Sequence, residues 1–262
     1  MIISQYQVDA FANSVFEGNP AAVCPLQTWL DDAVMQSIAA ENNLPETAFF
    51  IPKDGQYAIR WFTPTAEVEL CGHATLASAF VLFEQLGLEA DSVSFDSLSG
   101  VLTVTRKGDL FEMNFPSQAP EPIETPLGLE EALGVPVLYC FFNQDYVAVL
   151  ESEEVVEAVI PNQRLLAEID CRGVIITAKA SNASNLDFVC RFFAPRIGLN
   201  EDPVTGSAFT KLIPFWADKL AKTSFKARQV SPRGGDVTGQ FVNNRVKIAG
   251  SAVLFSKGQI YL

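Results

Sequence analysis

The pentapeptide Arg60-Trp61-Phe62-Thr63-Pro64 has a partner 131 residues later in Arg191-Phe192-Phe193-Ala194-Pro195. Each copy is followed, eleven or fourteen residues after its arginine, by a related tetrapeptide: Cys71-Gly72-His73-Ala74 in the first half and Thr205-Gly206-Ser207-Ala208 in the second. One short aromatic match arises by chance in a chain with 20 phenylalanines, but two matches in the same order point to an internal repeat. Such a chain has to fold as two diverged copies of one unit. Each pentapeptide leaves an apolar run read as a strand, Gln56 to Phe62 and Asp187 to Phe193, and each tetrapeptide opens an apolar helix. The first helix, through Thr75 to Phe83, is apolar on nearly every face, the pattern of a helix enclosed by sheet. The second, through Leu212, Ile213, Phe215 and Trp216, is expected to be interrupted by Pro214.

The flanking sequence supplies the sheet. Polar and apolar residues partly alternate from Ile2 to Phe11, as a half-buried strand requires, and Leu102 to Phe115 reads as strand, tight turn at Lys107-Gly108-Asp109, and strand. That hairpin makes a purely parallel sheet improbable. Four prolines between Pro116 and Pro126 mark an inter-domain linker at 117–126. Strands at Val137 to Phe142 and Tyr146 to Leu150 and an amphipathic helix at Val155 to Ile169 then restart the pattern.

Composition closes off several functions. A formal charge of −13 repels a phosphate backbone, so neither nucleic acid nor an anionic membrane is an expected partner. No apolar run reaches eighteen residues and the first residues lack a secretory pattern, so a soluble, cytoplasmic protein is expected. The five cysteines are odd in number and show no C-x-x-C spacing, which argues for reduced thiols and against a structural zinc site. No nucleotide-binding glycine motif is present.

The first turn of a helix carries N–H groups without intrahelical acceptors and about half a positive charge from aligned peptide dipoles. Gly72 and Gly206 let a ligand approach that backbone, while His73, Thr205 and Ser207 add side-chain donors. Two such helix starts suit a carboxylate substrate and the enolate-like anion left when an adjacent α-proton is removed. His73, the sole histidine, is suited to orienting substrate or shuttling a proton. Asp202, just before the second helix start, reads either as a turn or cap residue or as an acceptor for a substrate ammonium or hydroxyl. Two residues qualify to take the proton. Cys71 sits at a helix N-terminus, where a thiol is expected to ionise more readily, but its counterpart Thr205 denies a thiol on the opposite side. Glu46, at the entrance to the apolar segment Thr47 to Phe50, is either an acid/base carboxylate or an ordinary turn residue.

These residues resemble the phenazine-biosynthesis PhzF-like family, itself similar in fold to diaminopimelate epimerase. The likeness runs through Val8-Asp9-Ala10-Phe11, Phe16 to Val23 with Asn19, Glu46-Thr47-Ala48-Phe49, the first pentapeptide, Cys71 to Thr75, and Glu201 to Ala208. It implies an α+β fold of two pseudo-symmetric domains, each a mostly antiparallel curled sheet or barrel around a central helix. The domains are expected at 1–116 with about 250–262, and at 127–249, often in a homodimer. The resemblance further implies a metal-free, cofactor-independent isomerase acting on a small anionic, amino-acid-like substrate in a cleft between the helix starts. In the family's chemistry a glutamate matching Glu46 moves a proton on dihydro-3-hydroxyanthranilate, while residues matching His73, Asp202 and Ser207 hold the substrate. Phe209 stands where many relatives have histidine, which implies a less polar site. Arg233, in a loop at Gln229 to Asp236, reads as a carboxylate-binding residue or a plain turn residue. A Cys71-dependent amino-acid epimerase and a non-catalytic metabolite-binding protein are the alternatives.

Overall fold

The computed structural model describes residues 1–262. In chain order its elements are β1 (Ile2–Ala10), β2 (Asn19–Pro25), α1 (Asp32–Asn42), β3 (Glu46–Lys53), β4 (Gln56–Phe62), β5 (Glu67–Val68), α2 (Gly72–Phe80), β6 (Ser92–Ser97), β7 (Gly100–Lys107) and β8 (Leu110–Pro116). There follow β9 (Glu121–Ile123), α3 (Leu129–Leu133), β10 (Tyr139–Asn143), β11 (Asp145–Val149), α4 (Glu153–Ala158), α5 (Gln163–Glu168), β12 (Val174–Lys179) and β13 (Phe188–Ala194). The chain ends with β14 (Leu199–Asp202), α6 (Gly206–Leu220), β15 (Ser224–Gln229), β16 (Gly235–Val242), β17 (Arg245–Gly250) and β18 (Ala252–Tyr261). Two compact units result, Met1–Asn114 with Ala249–Leu262, and Phe115–Ile248. No helix is long and apolar enough to cross a membrane.

In the first unit β1 lies between β18 and β2, antiparallel to both. β2 runs parallel to β3, β3 antiparallel to β4, and β4 parallel to β6, with β6, β7 and β8 forming an antiparallel meander. The β7–β8 turn falls at the expected place, with Gly108 at φ 63 supplying the left-handed residue such a turn needs. Six successive residues of β2, Asn19 to Cys24, are buried, because α1 and α2 both pack in this region and leave the strand no solvent face. Met35, Ile38 and Ala39 of α1 join Cys24, Phe49 and Phe62 in one cluster. α2 is buried at every residue from His73 to Phe80, as its all-round apolar sequence requires.

The second unit pairs β10 antiparallel to β11, β11 parallel to β12, β12 antiparallel to β13, β13 parallel to β15, and β15 antiparallel to β16. Three expectations need correction here. The proline-rich stretch is not a bare linker, since β9 within it pairs antiparallel with β10; Pro122 is tolerated in a three-residue strand paired along one side. The single helix at 155–169 is two, α4 and α5, because Pro161 between them lacks the N–H a continuous helix would use. Each is capped separately, by Ser152 Oγ accepting from Val155 N and Asn162 Oδ1 accepting from Leu165 N. Conversely, Pro214 does not interrupt α6, which runs through it for 15 residues. A proline at 214 cannot donate to the carbonyl of Thr210, and Gln118 N donates to that oxygen instead, at 3.0 Å.

The repeated pentapeptides occupy matching positions. Phe62 pairs with Thr47 and Phe193 with Val174, in both cases next to the first residues of the neighbouring strand. Both arginines are structural. Arg60 donates from Nε and Nη2 to the two oxygens of Glu67 at 2.7 Å, with its guanidinium 5.2 Å from the Phe62 ring centre. Arg191 grips Glu201 in the same fashion at 2.7 and 2.9 Å, 5.0 Å from the Phe193 ring centre. Its Nη1 also donates to the carbonyls of Val156, Glu157 and Val159, so it ties α4 to β13.

Candidate active site

In the first unit, Glu46 is the first residue of β3, paired with Ala21 of β2, rather than a turn carboxylate. Cys71 precedes α2 in an extended conformation, and its carbonyl accepts from both N and Oγ1 of Thr75, which fixes the entry to the helix. His73 therefore starts the second position of α2 with its ring directed between two groups. Nδ1 lies 3.5 Å from Cys71 Sγ and Nε2 lies 3.2 Å from Glu46 Oε2. The Glu46 contact is a close ion pair without the alignment of a hydrogen bond. The His73 side chain is 7% exposed and that of Glu46 19%. A Cβ at Gly72 would meet only Met113 Cε at 3.9 Å, so packing does not demand glycine there. Asn19, at the start of β2 and paired with Ala10, is fully buried. The preceding turn is tightly built: a Cβ at Gly18, φ 65, would come within 2.2 Å of Ala10 O, and Phe16 N donates to Asp9 Oδ2.

The electrostatics separate the two base candidates. Burial alone would push the His73 imidazole down, but Cys71 and the Glu46 carboxylate push it up, and the net result lies well above ordinary histidine. Burial and then the Glu46 charge raise the Cys71 thiol above its ordinary value, against the expectation from its helix-terminal position. Of the groups that raise His73, Cys71 comes first and the Glu46 carboxylate, 3.2 Å from Nε2, second. Glu46, Cys71 and His73 are also the one cluster of three metal-ligating side chains, with donor atoms within 4.8 Å of one another. However, the imidazole turns different nitrogens towards sulfur and carboxylate, an arrangement that suits a proton-sharing row better than a chelate around one nitrogen.

In the second unit, Asp202 is the last residue of β14, opposite Phe192. Its Oδ2 accepts from Thr205 Oγ1 at 2.6 Å. Gln229, fully buried at the end of β15, completes the turn: Thr205 N donates to its Oε1, and its Nε2 donates to Asp202 O and Thr205 Oγ1. Gly206 then opens α6 and Ser207 follows, its Oγ accepting from Arg172 Nη2 at 3.0 Å. Arg172 is held by Asp145, which is fully buried and also 3.0 Å from the fully buried Lys211 Nζ. The Phe209 ring, two residues after Ser207, is fully buried 6.2 Å from that of Phe188. Arg233 lies partly exposed between β15 and β16, beside Gly234 at φ 67.

Gln229, Asp145, Arg172 and Lys211 were not candidates from sequence. Lys211 alone left a signal, as one charge inside the apolar run of α6, four residues and so one turn beyond Ser207. Arg172 in Asp170-Cys171-Arg172-Gly173 and Asp145 beside Asn143-Gln144 have the composition of ordinary turns.

Each unit thus presents a helix start flanked by polar side chains, the first with a carboxylate beside an imidazole. Comparison with known proteins identifies the family. The sequence model of the phenazine biosynthesis-like protein family matches residues 8–258. A protein of Pseudomonas aeruginosa described as an uncharacterized isomerase is 48% identical over 262 residues, covering 100% of both chains. The crystal structure of a PhzF-family phenazine biosynthesis protein from Enterococcus faecalis superposes with a TM-score of 0.97 at 48% identity, covering 100% of each chain. A predicted epimerase of Pseudomonas aeruginosa shares the fold, with a TM-score of 0.75 at 21% identity over 99% of each chain.

Proposed function

The chain belongs to the phenazine biosynthesis-like PhzF family and is an isomerase, and from that premise we propose that it moves an α-proton on a small carboxylate-bearing, amino-acid-like substrate with Glu46 as acid and base. The observation that carries this is the 3.2 Å pairing of Glu46 Oε2 with Nε2 of the buried His73 beside the start of α2. In the first step the substrate C–H bond breaks, an O–H bond forms on Glu46, and the electron pair delocalises towards the substrate carboxylate. The first-turn N–H groups and the imidazolium stabilise that enolate-like charge. In the second step the Glu46 O–H bond breaks and a C–H bond forms at a carbon conjugated with the first, the substrate C=C shifting towards the carbon that lost its proton, so atoms and charge balance within one molecule. Asn19, Gly72 and His73 of the first unit and Asp202, Gly206 and Ser207 of the second are the proposed substrate-holding groups. Dihydro-3-hydroxyanthranilate represents the substrate class, by resemblance to the family.

Two diverged copies of one unit are part of the same reading, supported by the matched strand pairings and by the twin arginine–glutamate grips. The two-thiol alternative finds little support, since Cys71 is a buried thiol and Thr205 is engaged by Asp202 and Gln229.

The test is incubation of dihydro-3-hydroxyanthranilate and a panel of small cyclic amino acids in heavy water. Exchange at a carbon next to the carboxylate is expected for the wild type and its loss for Glu46→Gln. Undiminished exchange in Glu46→Gln would remove Glu46 from the mechanism.

A further inference from the structure

A serine hydroxyl both accepts and donates, so a lone serine at a helix start can meet an incoming group with either its lone pairs or its proton. Ser207 has that choice removed. The group that reaches its Oγ is the Arg172 guanidinium, 3.0 Å away, and a guanidinium has no acceptor to offer. The serine oxygen is thereby the acceptor in this contact, and its own proton is left to point elsewhere. Arg172 is not free to swing aside. Its Nε and Nη2 donate to both oxygens of Asp145, at 2.8 and 2.5 Å. Asp145 is fully buried and also bound by Lys211, whose Nζ lies 3.0 Å from the same Oδ2 that accepts from Arg172 Nη2, 3.0 Å from Gln118 Oε1 and 3.3 Å from Ser207 O. Rotating Arg172 away would strip a buried carboxylate of one of its two cations. The ring of Phe192, 5.6 Å from the guanidinium carbon, backs the arginine from the side.

We propose that Arg172, locked by the buried Asp145–Lys211 pair, is a positioning residue that makes Ser207 a one-way hydrogen-bond donor, so that the second helix start selects a substrate carboxylate over its neutral carboxamide. An ionised oxygen only accepts, which matches the donors gathered at Ser207: its hydroxyl, polarised by a cation behind it, and the first N–H groups of α6. A carboxamide offers these donors one uncharged oxygen where a carboxylate offers two charged ones, and its NH2 is itself a donor and has no match at the Ser207 hydroxyl. This rests on the reading that Ser207 holds substrate, and it extends that reading to the chemical class of the group held.

Calorimetry with 3-hydroxyanthranilate and proline, each against its own carboxamide, tests the proposal without requiring turnover. The wild type is expected to prefer the carboxylates. Arg172→Gln and Ser207→Ala should each weaken carboxylate binding about tenfold with little change for the carboxamides. The double variant should lose no more than either single one, because both remove the same donor, and Arg172→Lys should recover part of the loss. Equal losses for carboxylate and carboxamide, additive losses in the double variant, or no carboxylate binding to the wild type would each overturn the proposal. Should Arg172→Gln fail to fold, neutron diffraction of the wild type decides the same point. The Ser207 deuteron must point away from Arg172 and onto no protein acceptor. Carboxylate selectivity without solvent exchange would sink the isomerase reading and leave this one standing; exchange without selectivity would do the reverse.

Discussion

His73 Nε2 lies 3.2 Å from Glu46 Oε2, and the two residues, 27 positions apart in the chain, form a largely buried ion pair at the start of α2. Burial opposes a charge on His73, and Cys71 and the Glu46 carboxylate oppose that burial effect. Removing Glu46 should therefore change the protonation of His73 as well as the chemistry.

In Glu46→Gln the imidazole keeps its burial and loses the carboxylate that holds its proton. Its pKa is expected to fall from its position well above the ordinary 6.5, with Cys71 the group left to raise it. Because His73 is the sole histidine, its ring resonances in an NMR titration need no assignment by mutation. An imidazole that titrates unchanged in Glu46→Gln would show that Glu46 does not hold it charged.

The same pair sets a pH dependence of stability. A histidine whose folded pKa is raised binds its proton more tightly folded than unfolded, so its stabilisation is fully present below the ordinary value of 6.5 and is lost as pH rises through the folded value. Denaturant unfolding between about pH 6 and about pH 9 is expected to show wild-type stability falling relative to His73→Gln as pH rises. A constant difference across that window would count against a protonated His73.

Cys71 should behave as an inert thiol. Burial and the neighbouring Glu46 charge raise it, and only the thiolate reacts with alkylating agents. Iodoacetamide at neutral pH is expected to leave solvent-exchange activity intact, and Cys71→Ser to retain it. Inactivation in both experiments would restore the thiol-dependent epimerase.

The twin arginines should differ in cost. Arg191→Ala leaves Glu201 and three carbonyls of the α4 region without a cation, at a site where the arginine side chain is 9% exposed, and is expected to destabilise by about 3–5 kcal/mol. The Arg60 side chain is 21% exposed and serves Glu67 and the open Asp32, so Arg60→Ala should cost about 1–2 kcal/mol. Urea unfolding of the two variants checks the order.

Much of the site was readable before any fold was known. Gly72 and Gly206 open helices where the tetrapeptides placed them, and Glu46 and Cys71 converge on the one histidine. The two motif pairs are recognisable because their order and residue types match, although the spacing differs, eleven residues against fourteen. The failures have physical causes. Pro214 was read as a helix breaker because the donor that replaces its missing N–H, Gln118, comes from 92 residues away from Thr210. The packing of Phe209 against Phe188, 21 positions away in the chain, is likewise invisible in the sequence around Ser207. Cys71 was expected to ionise because the helix terminus is visible in sequence, whereas its burial and the Glu46 charge are not.

By itself, then, the sequence determined the repeat, the strands and the two glycine-opened helices, since these depend on hydrophobic period and backbone freedom among near neighbours. Tertiary structure alone decided which groups are charged and which way their hydrogen bonds run. Arg172 and Ser207 are 35 residues apart, Thr205 and Gln229 24 apart, and a proton's place is set by whatever side chains the fold brings within about 3 Å and by the water it excludes there.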